Sequence, residues 1–365
     1  MTVKNLARRR VLRIVGKVLQ PILSRTTVSG RENIPKSGPL IVVGNHSAYV
    51  ETILMLMVMP WPIELMGATD VPLRGRFTFL NQLWGVLPIN RGEIDRTGLK
   101  AAADLLDAGD TLGIFPEGGI WDRKIGDARL GVAYLSQQTG APILPIGFGG
   151  VIGATEKIVR FQRPRFTVNI GKLIPAVPSP ANYRERKAIA KTASDTIMNA
   201  IYQLVPADDE INKLGDRTEA YSFDVQLTNA SGAVVPIPSE LAIPYGDDLA
   251  LFFYRPVLLS VVIDNLERPA AAALTRLDTE RDPAAFAVAL REMLQVFVTE
   301  KPGFLGYRLG YKRAANVVDG LQHLLKLAEW AEPQKLHMHI VPKATFTYDD
   351  GRVEQFATPP QRHMT

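Results

Sequence analysis

The residues best suited to chemistry in this sequence are a histidine and a glutamate five positions apart, His46 and Glu51. The apolar run 39–44 before them is short, β-branched and bounded by proline and glycine, which predicts a buried strand. The histidine then lies at the carboxyl end of a strand, where open α/β sheets place their ligand crevices. A carboxylate that accepts a hydrogen bond from one ring nitrogen leaves the other nitrogen as a base. The alternative interpretation is a surface histidine beside an unrelated acid.

The polar residues after the strand predict the start of a helix. Ser47 or Asn45 can cap a helix that begins near Tyr49. Glu51 then lies in the first turn of that helix, folded back towards His46.

Three further stretches each combine an apolar strand with a polar or glycine-rich turn. They cover residues 85–91, 115–119 and 141–145. In a parallel sheet such turns share one edge, so they are expected to surround one crevice together with the histidine. An arginine fork suits phosphate, and paired glycines let backbone amides approach an anion. The candidate acceptor-binding or phosphate-binding residues are Asn90, Arg91, Glu117, Gly118, Gly119 and, further along, Arg129.

Length and composition limit the possible classes of protein. A chain of 365 residues suits two domains. The absence of cysteine excludes disulfides, thiolate catalysis and cysteine metal sites. The net charge of +5 suits an anionic partner such as a membrane surface, a phosphorylated substrate or a nucleic acid. No nucleic-acid-binding module is recognisable, so we expect no nucleic-acid partner, and neither a cofactor nor a metal is expected.

The first 25 residues are basic and contain no acid. Their apolar residues recur at helical spacing and form one stripe, with basic residues opposite, which is typical of a helix in a membrane interface. The alternative is a helix packed on the protein's own core with a solvated basic face. The stripe comprises Val11, Ile14, Val15, Val18, Leu19 and Ile22, and the opposing residues are Arg9, Arg10, Arg13 and Lys17.

The remaining pattern predicts two domains of different class. From the methionine-rich helix after Thr52 to a long helix over 182–204, strands alternate with helices, which indicates an α/β layer with a mostly parallel sheet flanked by helices. This part includes an expected helix over 73–83. A polar stretch over 205–220 suggests a boundary. Beyond it, a hairpin around 229–232, strands over 258–263, 336–341 and 345–348, and helices over 283–299 and 310–331 suggest a smaller α+β domain.

Together and in this order, the four candidate stretches resemble the glycerophospholipid acyltransferases, the lysophosphatidic acid acyltransferase-like family. That family carries a histidine and an aspartate separated by four residues, followed by a Gly…Arg block, a Phe-Pro-Glu-Gly block and a proline-containing strand. Here the blocks are His46-x4-Glu51, 85–91, 115–119 and 142–145, and the lead-in over 30–35 is also similar. The resemblance covers roughly residues 1–210. With the charge and polarity patterns described above, the expected division is a membrane-interface helix (1–25), an acyltransferase domain (26–210), a linker (211–220) and a C-terminal domain of unknown role (221–365).

The resemblance implies a chemistry. His46, oriented by Glu51, would remove the proton from an acceptor hydroxyl as it attacks an acyl thioester, with acyl-CoA or acyl-carrier protein as donor. The acceptor would be a lysophospholipid or a related lipid alcohol, at an anionic membrane surface. The enzyme would be peripheral on the cytoplasmic face of the cell membrane.

Two departures from the family pattern are visible. Glu51 replaces an aspartate and is one methylene longer. The family usually continues Glu-Gly-Thr-Arg-Ser, whereas this chain reads Glu117-Gly118-Gly119-Ile120-Trp121. A glycolipid or aminolipid acceptor, or a non-catalytic lipid-binding scaffold, are therefore alternatives.

Overall fold

The structure is a computed structural model, and it describes residues 3–69, 82–91, 95–120, 129–209, 217–348 and 350–356. The chain forms two compact units. The described residues up to Asp209 belong to the first unit, and those from Arg217 onwards belong to the second. The predicted helix over 73–83 falls almost entirely outside the described residues.

The first unit alternates strands and helices. Its strands are β1 (Arg25–Ser29), β2 (Leu40–Gly44), β3 (Glu64–Ala68), β4 (Leu87–Ile89), β5 (Thr111–Ile114), β6 (Ile143–Gly149) and β7 (Arg165–Ile170). Its helices are α1 (Val3–Leu23), α2 (Val50–Val58), α3 (Arg96–Asp107), α4 (Gly131–Thr139), α5 (Ala154–Val159) and α6 (Tyr183–Leu204).

The strands form one sheet in the order β1-β7-β6-β2-β5-β3-β4. The five strands from β2 to β6 run parallel to one another. The pair of β1 and β7 runs in the opposite direction, because β7 is antiparallel to β6 and parallel to β1. The carboxyl ends of β2, β4, β5 and β6 therefore lie at one edge. The predicted α/β fold with a mostly parallel sheet flanked by helices is confirmed.

Strand β2 explains why the sequence around the histidine reads as a continuous apolar run. All five of its residues are buried. Leu40 and Val42 pack into the core on one face of the sheet, beside α2, and Ile41 and Val43 pack into the core on the other face, beside α3, α4 and α6. A strand that is covered on both faces needs apolar residues at every position.

Helix α1 turns its apolar stripe outward and buries part of its basic face. The apolar stripe is exposed, from 43% at Leu19 to 64% at Ile14. Arg9 and Arg13, expected on a solvated face, are buried at 1% and 6% exposure. The alternative of a helix packed on the protein's own core with a solvated basic face is therefore wrong for the stripe and for these two arginines. Buried charges need partners, and Arg9 finds one in Glu64 while Arg13 donates to the carbonyls that end α2.

The second unit is a four-stranded antiparallel sheet with helices. Its core is built from the helices and from the sheet face that they cover. The strands, in the order β11-β10-β8-β9, are β8 (Arg217–Thr228), β9 (Val234–Val235), β10 (His337–Tyr348) and β11 (Val353–Phe356). The helices are α7 (Gly246–Tyr254), α8 (Pro256–Asp264), α9 (Arg268–Thr275), α10 (Pro283–Leu294), α11 (Pro302–Leu309) and α12 (Tyr311–Ala331), with a π-helical segment Gln295–Glu300.

The class of the second unit agrees with the α+β expectation, but one element was assigned wrongly. Residues 258–263, expected to be a strand, lie in helix α8. Leu258 and Val262, four residues apart, are both buried in the helical core. A short apolar run does not distinguish a buried strand from a buried helix, and Pro256 at the first helical turn was the overlooked start signal. The two strands expected over 336–341 and 345–348 form one strand, β10.

Candidate functional site

His46 lies two residues after the end of β2, at the edge of the sheet where the parallel strands finish. The preceding residue, Asn45, is buried and connects β2 to β6. Its side-chain amide donates to the carbonyl of Phe148 at 3.0 Å, and its side-chain oxygen accepts from the N–H of the same residue at 2.8 Å. These reciprocal bonds hold the backbone that carries the histidine.

The backbone approach at this point also depends on Gly44. A Cβ at Gly44 would lie 2.5 Å from a ring carbon of Phe148. The glycine before the Asn45-His46 pair therefore lets β2 and the aromatic side chain of β6 lie in contact.

The carboxylate of Glu51 binds both the imidazole ring and the loop that carries it. Its Oε2 lies 3.0 Å from Nδ1 of His46 and accepts the N–H of Ala48 at 2.8 Å. Its Oε1 accepts the N–H of Ser47 at 2.7 Å. The side chain is fully buried. The expected approach of Glu51 to His46 is thus present, since the longer side chain folds back from the first turn of α2.

The expectation that Ser47 or Asn45 caps α2 is wrong. The N-cap residue is Tyr49, and it makes no side-chain capping bond. The side chain of Asn45 is occupied by Phe148. Glu51 instead satisfies N–H groups just before the helix, where a negative charge is also favoured by the helix dipole.

The turn after β5 covers the other side of the histidine. The ring of Phe115 stacks on the imidazole, with centroids 4.0 Å apart and planes 16° from parallel. Glu117, which is 1% exposed, accepts the backbone N–H of His46 at 3.0 Å through Oε1. His46 is therefore oriented through its ring by Glu51 and through its backbone by Glu117.

The two buried carboxyl groups next to His46 have raised pKa values. Burial raises the pKa of Glu51 well above its ordinary value, against the opposing effect of the Ala48 and Ser47 N–H groups. Burial raises the pKa of Glu117 to about 8, against the bond from the His46 N–H and with a further rise from the charge of Glu51. Both shifts have the same main cause, the cost of burying a negative charge away from water.

The raised pKa of Glu117 predicts a loss of stability as the pH rises. The carboxyl group titrates at about 8 in the folded protein, whereas its ordinary value is 4.5. Between these values the folded state binds more protons than the unfolded state, so the free energy of unfolding falls with increasing pH. We expect Glu117→Gln, which keeps an oxygen acceptor for His46, to flatten this dependence when thermal midpoints are measured from about pH 5 to pH 8.

The matched control is Glu185→Gln, because Glu185 is exposed on the same unit. This variant should retain the wild-type slope of the thermal midpoint against pH. An unchanged slope in Glu117→Gln would contradict the raised pKa.

The structure brings Arg91 and Arg129 to the turn that contains Glu117. The guanidinium of Arg91 donates to the carbonyl of Gly118, and the backbone N–H of Arg129 donates to the carbonyl of Pro116 at 3.1 Å. Gly118 has a φ of +71°, a conformation that favours glycine. The expected convergence of the β4 and β5 turns is thus present.

Asn90 and Gly119 are placed differently. The backbone N–H of Asn90 donates to Asp95, the N-cap of α3, and Asn90 itself is exposed. Gly119 follows Gly118 in the turn and is partly exposed. Their binding roles stay predictions.

Sequence reasoning missed the contributions of Asn45, Phe115, Tyr202 and Asp209. Tyr202, on α6, donates a hydrogen bond to Glu117. Asp209 accepts the N–H of Gly150 at 2.7 Å, and its charge acts on Glu51. Phe115 is part of the Phe-Pro-Glu-Gly block, so a signal existed for it, whereas Tyr202 reads as an ordinary core position of a long helix.

Comparison with known proteins agrees with this geometry. Residues 25–149 match the family model Acyltransferase. Over 128 residues the chain is 31% identical to a 1-acyl-sn-glycerol-3-phosphate acyltransferase of Borreliella burgdorferi, which covers 33% of this chain and 49% of the relative. Over 159 residues it is 23% identical to the enzyme of the same name from Bacillus subtilis, covering 43% of this chain and 77% of the relative.

A crystal structure of the 1-acyl-sn-glycerophosphate (LPA) acyltransferase PlsC from Thermotoga maritima matches 55% of this chain and 84% of its own length, with 19% identity and a TM-score of 0.38. The chain spans about half the length of the Borreliella burgdorferi relative, at 49%. The match of residues 25–149 to the family model Acyltransferase contains all four ordered motifs.

Proposed function

We propose that the first unit is an O-acyltransferase that moves an acyl group from a thioester to the hydroxyl of a lysophospholipid. The observation that carries the proposal is the contact of 3.0 Å between Nδ1 of His46 and Oε2 of Glu51. It lies at the sheet edge of a domain that matches the acyltransferase family. The names of the two curated relatives support 1-acylglycerol 3-phosphate as the acceptor.

The chemistry follows from the orientation of the ring. With the Nδ1 proton held by Glu51, Nε2 takes the proton of the acceptor hydroxyl. The oxygen attacks the thioester carbonyl, the new C–O bond forms and the C–S bond breaks. The thiolate leaves with the proton that the imidazolium returns. The carboxylate of Glu51 stabilises the positive charge on the ring between these steps, and no acyl-enzyme is required.

The acceptor is expected beside Arg91. Its guanidinium lies at the Gly118 carbonyl, and a planar fork with several donors matches a phosphate. The backbone N–H of Arg129 is bonded to the carbonyl of Pro116, so this residue lies at the same turn. We propose these two arginines as the phosphate-binding groups, in place of the arginine that follows Glu-Gly-Thr in the family pattern.

The proposal is tested with purified protein, an acyl thioester and a panel of lipid acceptors. Release of free thiol gives the rate, and mass spectrometry of the lipids identifies the product. Phosphatidate formation from 1-acylglycerol 3-phosphate, with acyl-CoA or with acyl-carrier protein as donor, is the expected result. Lipid binding without turnover of any acceptor would contradict it and would favour the scaffold alternative.

We further propose that helix α1 places the enzyme on an anionic membrane surface, at the cytoplasmic face of the cell membrane. Within the described residues, no helix has the length and hydropathy needed to cross a bilayer. The exposed stripe of α1 supports binding within the interface instead, because an exposed row of apolar residues on an amphipathic helix is stabilised by the acyl boundary. Arg10 and Lys17 are exposed on the same helix, and each basic residue near an anionic leaflet adds about 1 kcal/mol.

The double variant Ile14→Glu with Val18→Glu should lose most binding to vesicles that contain phosphatidylglycerol. The two residues are 64% and 61% exposed, so the substitutions disturb the interface rather than the core. Sedimentation with vesicles measures the bound fraction. The control is Leu173→Glu with Thr192→Glu, which adds the same charge at exposed positions of the first unit outside helix α1. Equal binding by both double variants would refute the role of the stripe.

A further inference from the structure

The segment that follows helix α5 carries an aromatic side chain where the fold favours glycine. The N–H of Phe161 donates to the carbonyl of Ile158, and the N–H of Gln162 donates to the carbonyl of Lys157. These two bonds form a Schellman motif, whose left-handed position is most often glycine. Phe161 occupies it with a φ of +55°, and Arg163, two residues on, has a φ of +49°. Left-handed conformations are unfavourable for a bulky side chain.

Burial of the Phe161 side chain does not offset the cost of this left-handed conformation. It is 74% exposed, and Val159 next to it is 67% exposed. Strained backbone that presents an exposed aromatic ring indicates a role outside the chain's own core. Three basic residues, Lys157, Arg160 and Arg163, lie within four positions of Phe161. Arg160 is paired with Glu156 at 2.7 Å.

This segment lies beside the end of α1. The guanidinium of Arg163 donates to the carbonyl of Pro21 at 2.8 Å, and the N–H of Arg25 donates to the carbonyl of Pro164 at 2.9 Å. Ile22, the last residue of the exposed α1 stripe, is 57% exposed next to Pro21. The segment that carries Phe161 thus lies beside the carboxyl end of the exposed α1 stripe.

A polar cleft of about 430 Å³ lies at the same place, between the end of α1 and β1. Its lining includes Arg25, Thr27 and Arg163. Two arginines and a hydroxyl are suited to a phosphate group. A lipid that presents a phosphate to the arginines and acyl chains to Phe161 and Ile22 matches both chemistries at once.

We infer that Phe161 inserts into the membrane as a second anchor beside α1, while Arg25 and Arg163 bind the phosphate of an anionic phospholipid. The inference rests on the proposed membrane association of the first unit, and it does not depend on the proposed acyl transfer. Basic side chains attract an anionic leaflet and an apolar ring is stabilised at the acyl boundary, so the combination favours a bilayer over a protein partner.

Insertion can be measured directly because the chain contains no cysteine. A Phe161→Cys variant labelled with an environment-sensitive fluorophore carries the probe at one position. We expect its emission to shift to the blue with vesicles of phosphatidylglycerol and phosphatidylcholine. The matched control is Tyr183→Cys, because Tyr183 is also an exposed aromatic residue of the first unit, at 63%. Unshifted emission from the Phe161→Cys label while the protein sediments with the vesicles would overturn the inference.

A second variant separates membrane binding from folding. Phe161→Gly relieves the left-handed conformation, so its thermal midpoint should equal or exceed that of the wild type. Its affinity for the same vesicles should fall severalfold. Unchanged affinity would mean that α1 alone anchors the protein, and the inference would be wrong.

The phosphate site is tested by charge removal. Arg25→Gln should lower the affinity for vesicles that contain phosphatidylglycerol by about fivefold and leave binding to pure phosphatidylcholine unchanged. The control, Arg184→Gln, removes an exposed arginine at the start of α6 and should change neither. Equal losses for both variants would show a general charge effect and refute the site. If the wild type binds no vesicles, the proposed membrane association fails as well, and turnover of a dispersed lysolipid then reports on acyl transfer separately.

Discussion

Replacing His46 with alanine is expected to lower kcat for acyl transfer by about 10²- to 10⁴-fold, the usual contribution of a general base. The ring is the group that Glu51, Phe115 and the backbone bond to Glu117 hold in place. Alanine keeps the backbone N–H, so the bond to Glu117 is retained. KM for the acceptor should change little, because the lost interaction belongs to the transition state. Release of thiol, followed over time with saturating acceptor, measures the effect.

The control for this prediction is His337→Ala. His337 is exposed on β10 of the second unit, so its removal tests for a general effect of losing a histidine. The circular dichroism spectrum and the vesicle binding of His46→Ala should match those of the wild type. If His46→Ala keeps kcat within a few-fold of the wild type, the assignment of the base is wrong and the reaction proceeds through another group.

The sheet and its order of elements were accessible from the sequence because the strands are buried on both faces. Strand β2 is apolar at every position, and glycine or a capping side chain marks the end or the start of several helices. Asn182 caps α6, and Gly140 ends α4 in a left-handed conformation. Such signals are local, so they survive without knowledge of the tertiary structure. Helix α5 was missed because six residues provide too short a window for helical periodicity.

The structural features that the sequence did not predict depend on contacts between residues far apart in the chain. The bonds from Asn45 to Phe148 span 103 positions, and nothing local distinguishes this role from helix capping. The expected strand over 258–263 became a helix because its apolar residues face a core built from other helices. The positions of His46 and Glu117 were predictable since parallel strands end at one edge of a sheet. The bond that connects them, from a backbone N–H to a carboxylate, was not.

The orientation of α1 depends on tertiary contacts that the sequence pattern does not reveal. An amphipathic helix normally turns its apolar stripe towards the core. Here Arg9 forms a bidentate pair with Glu64, with distances of 2.5 and 2.6 Å, and also donates to the carbonyls of Trp84 and Gly85. These bonds connect α1 to strand β3 and to the segment that leads into β4, and they leave the stripe facing outward. The same contacts therefore fix the helix on the domain and create the proposed membrane surface.

Arg9→Ala is accordingly expected to destabilise the first unit by about 3–5 kcal/mol, because it leaves the carboxylate of Glu64 without its buried partner. The loss should appear as a lower denaturant midpoint of unfolding, followed by tryptophan fluorescence. Trp84, whose ring centroid lies 5.2 Å from the Arg9 guanidinium, contributes to this signal. Arg10→Ala is the matched control. Arg10 is exposed on the same helix, and its removal should change the free energy of unfolding by less than about 0.5 kcal/mol.

The double variant Arg9→Met with Glu64→Gln separates the pair from the packing around it. Removing both charges avoids the buried unpaired carboxylate, so this variant should recover a large part of the stability lost in Arg9→Ala. The double variant is compared with the single variants Arg9→Met and Glu64→Gln through their free energies of unfolding. If its loss of stability equals the sum of the two single losses, Arg9 acts through the carbonyls of Trp84 and Gly85 rather than through Glu64. Recovery of stability together with loss of vesicle binding would instead indicate that the ion pair sets the orientation of α1, since a helix released from Glu64 is free to turn its apolar stripe towards the core.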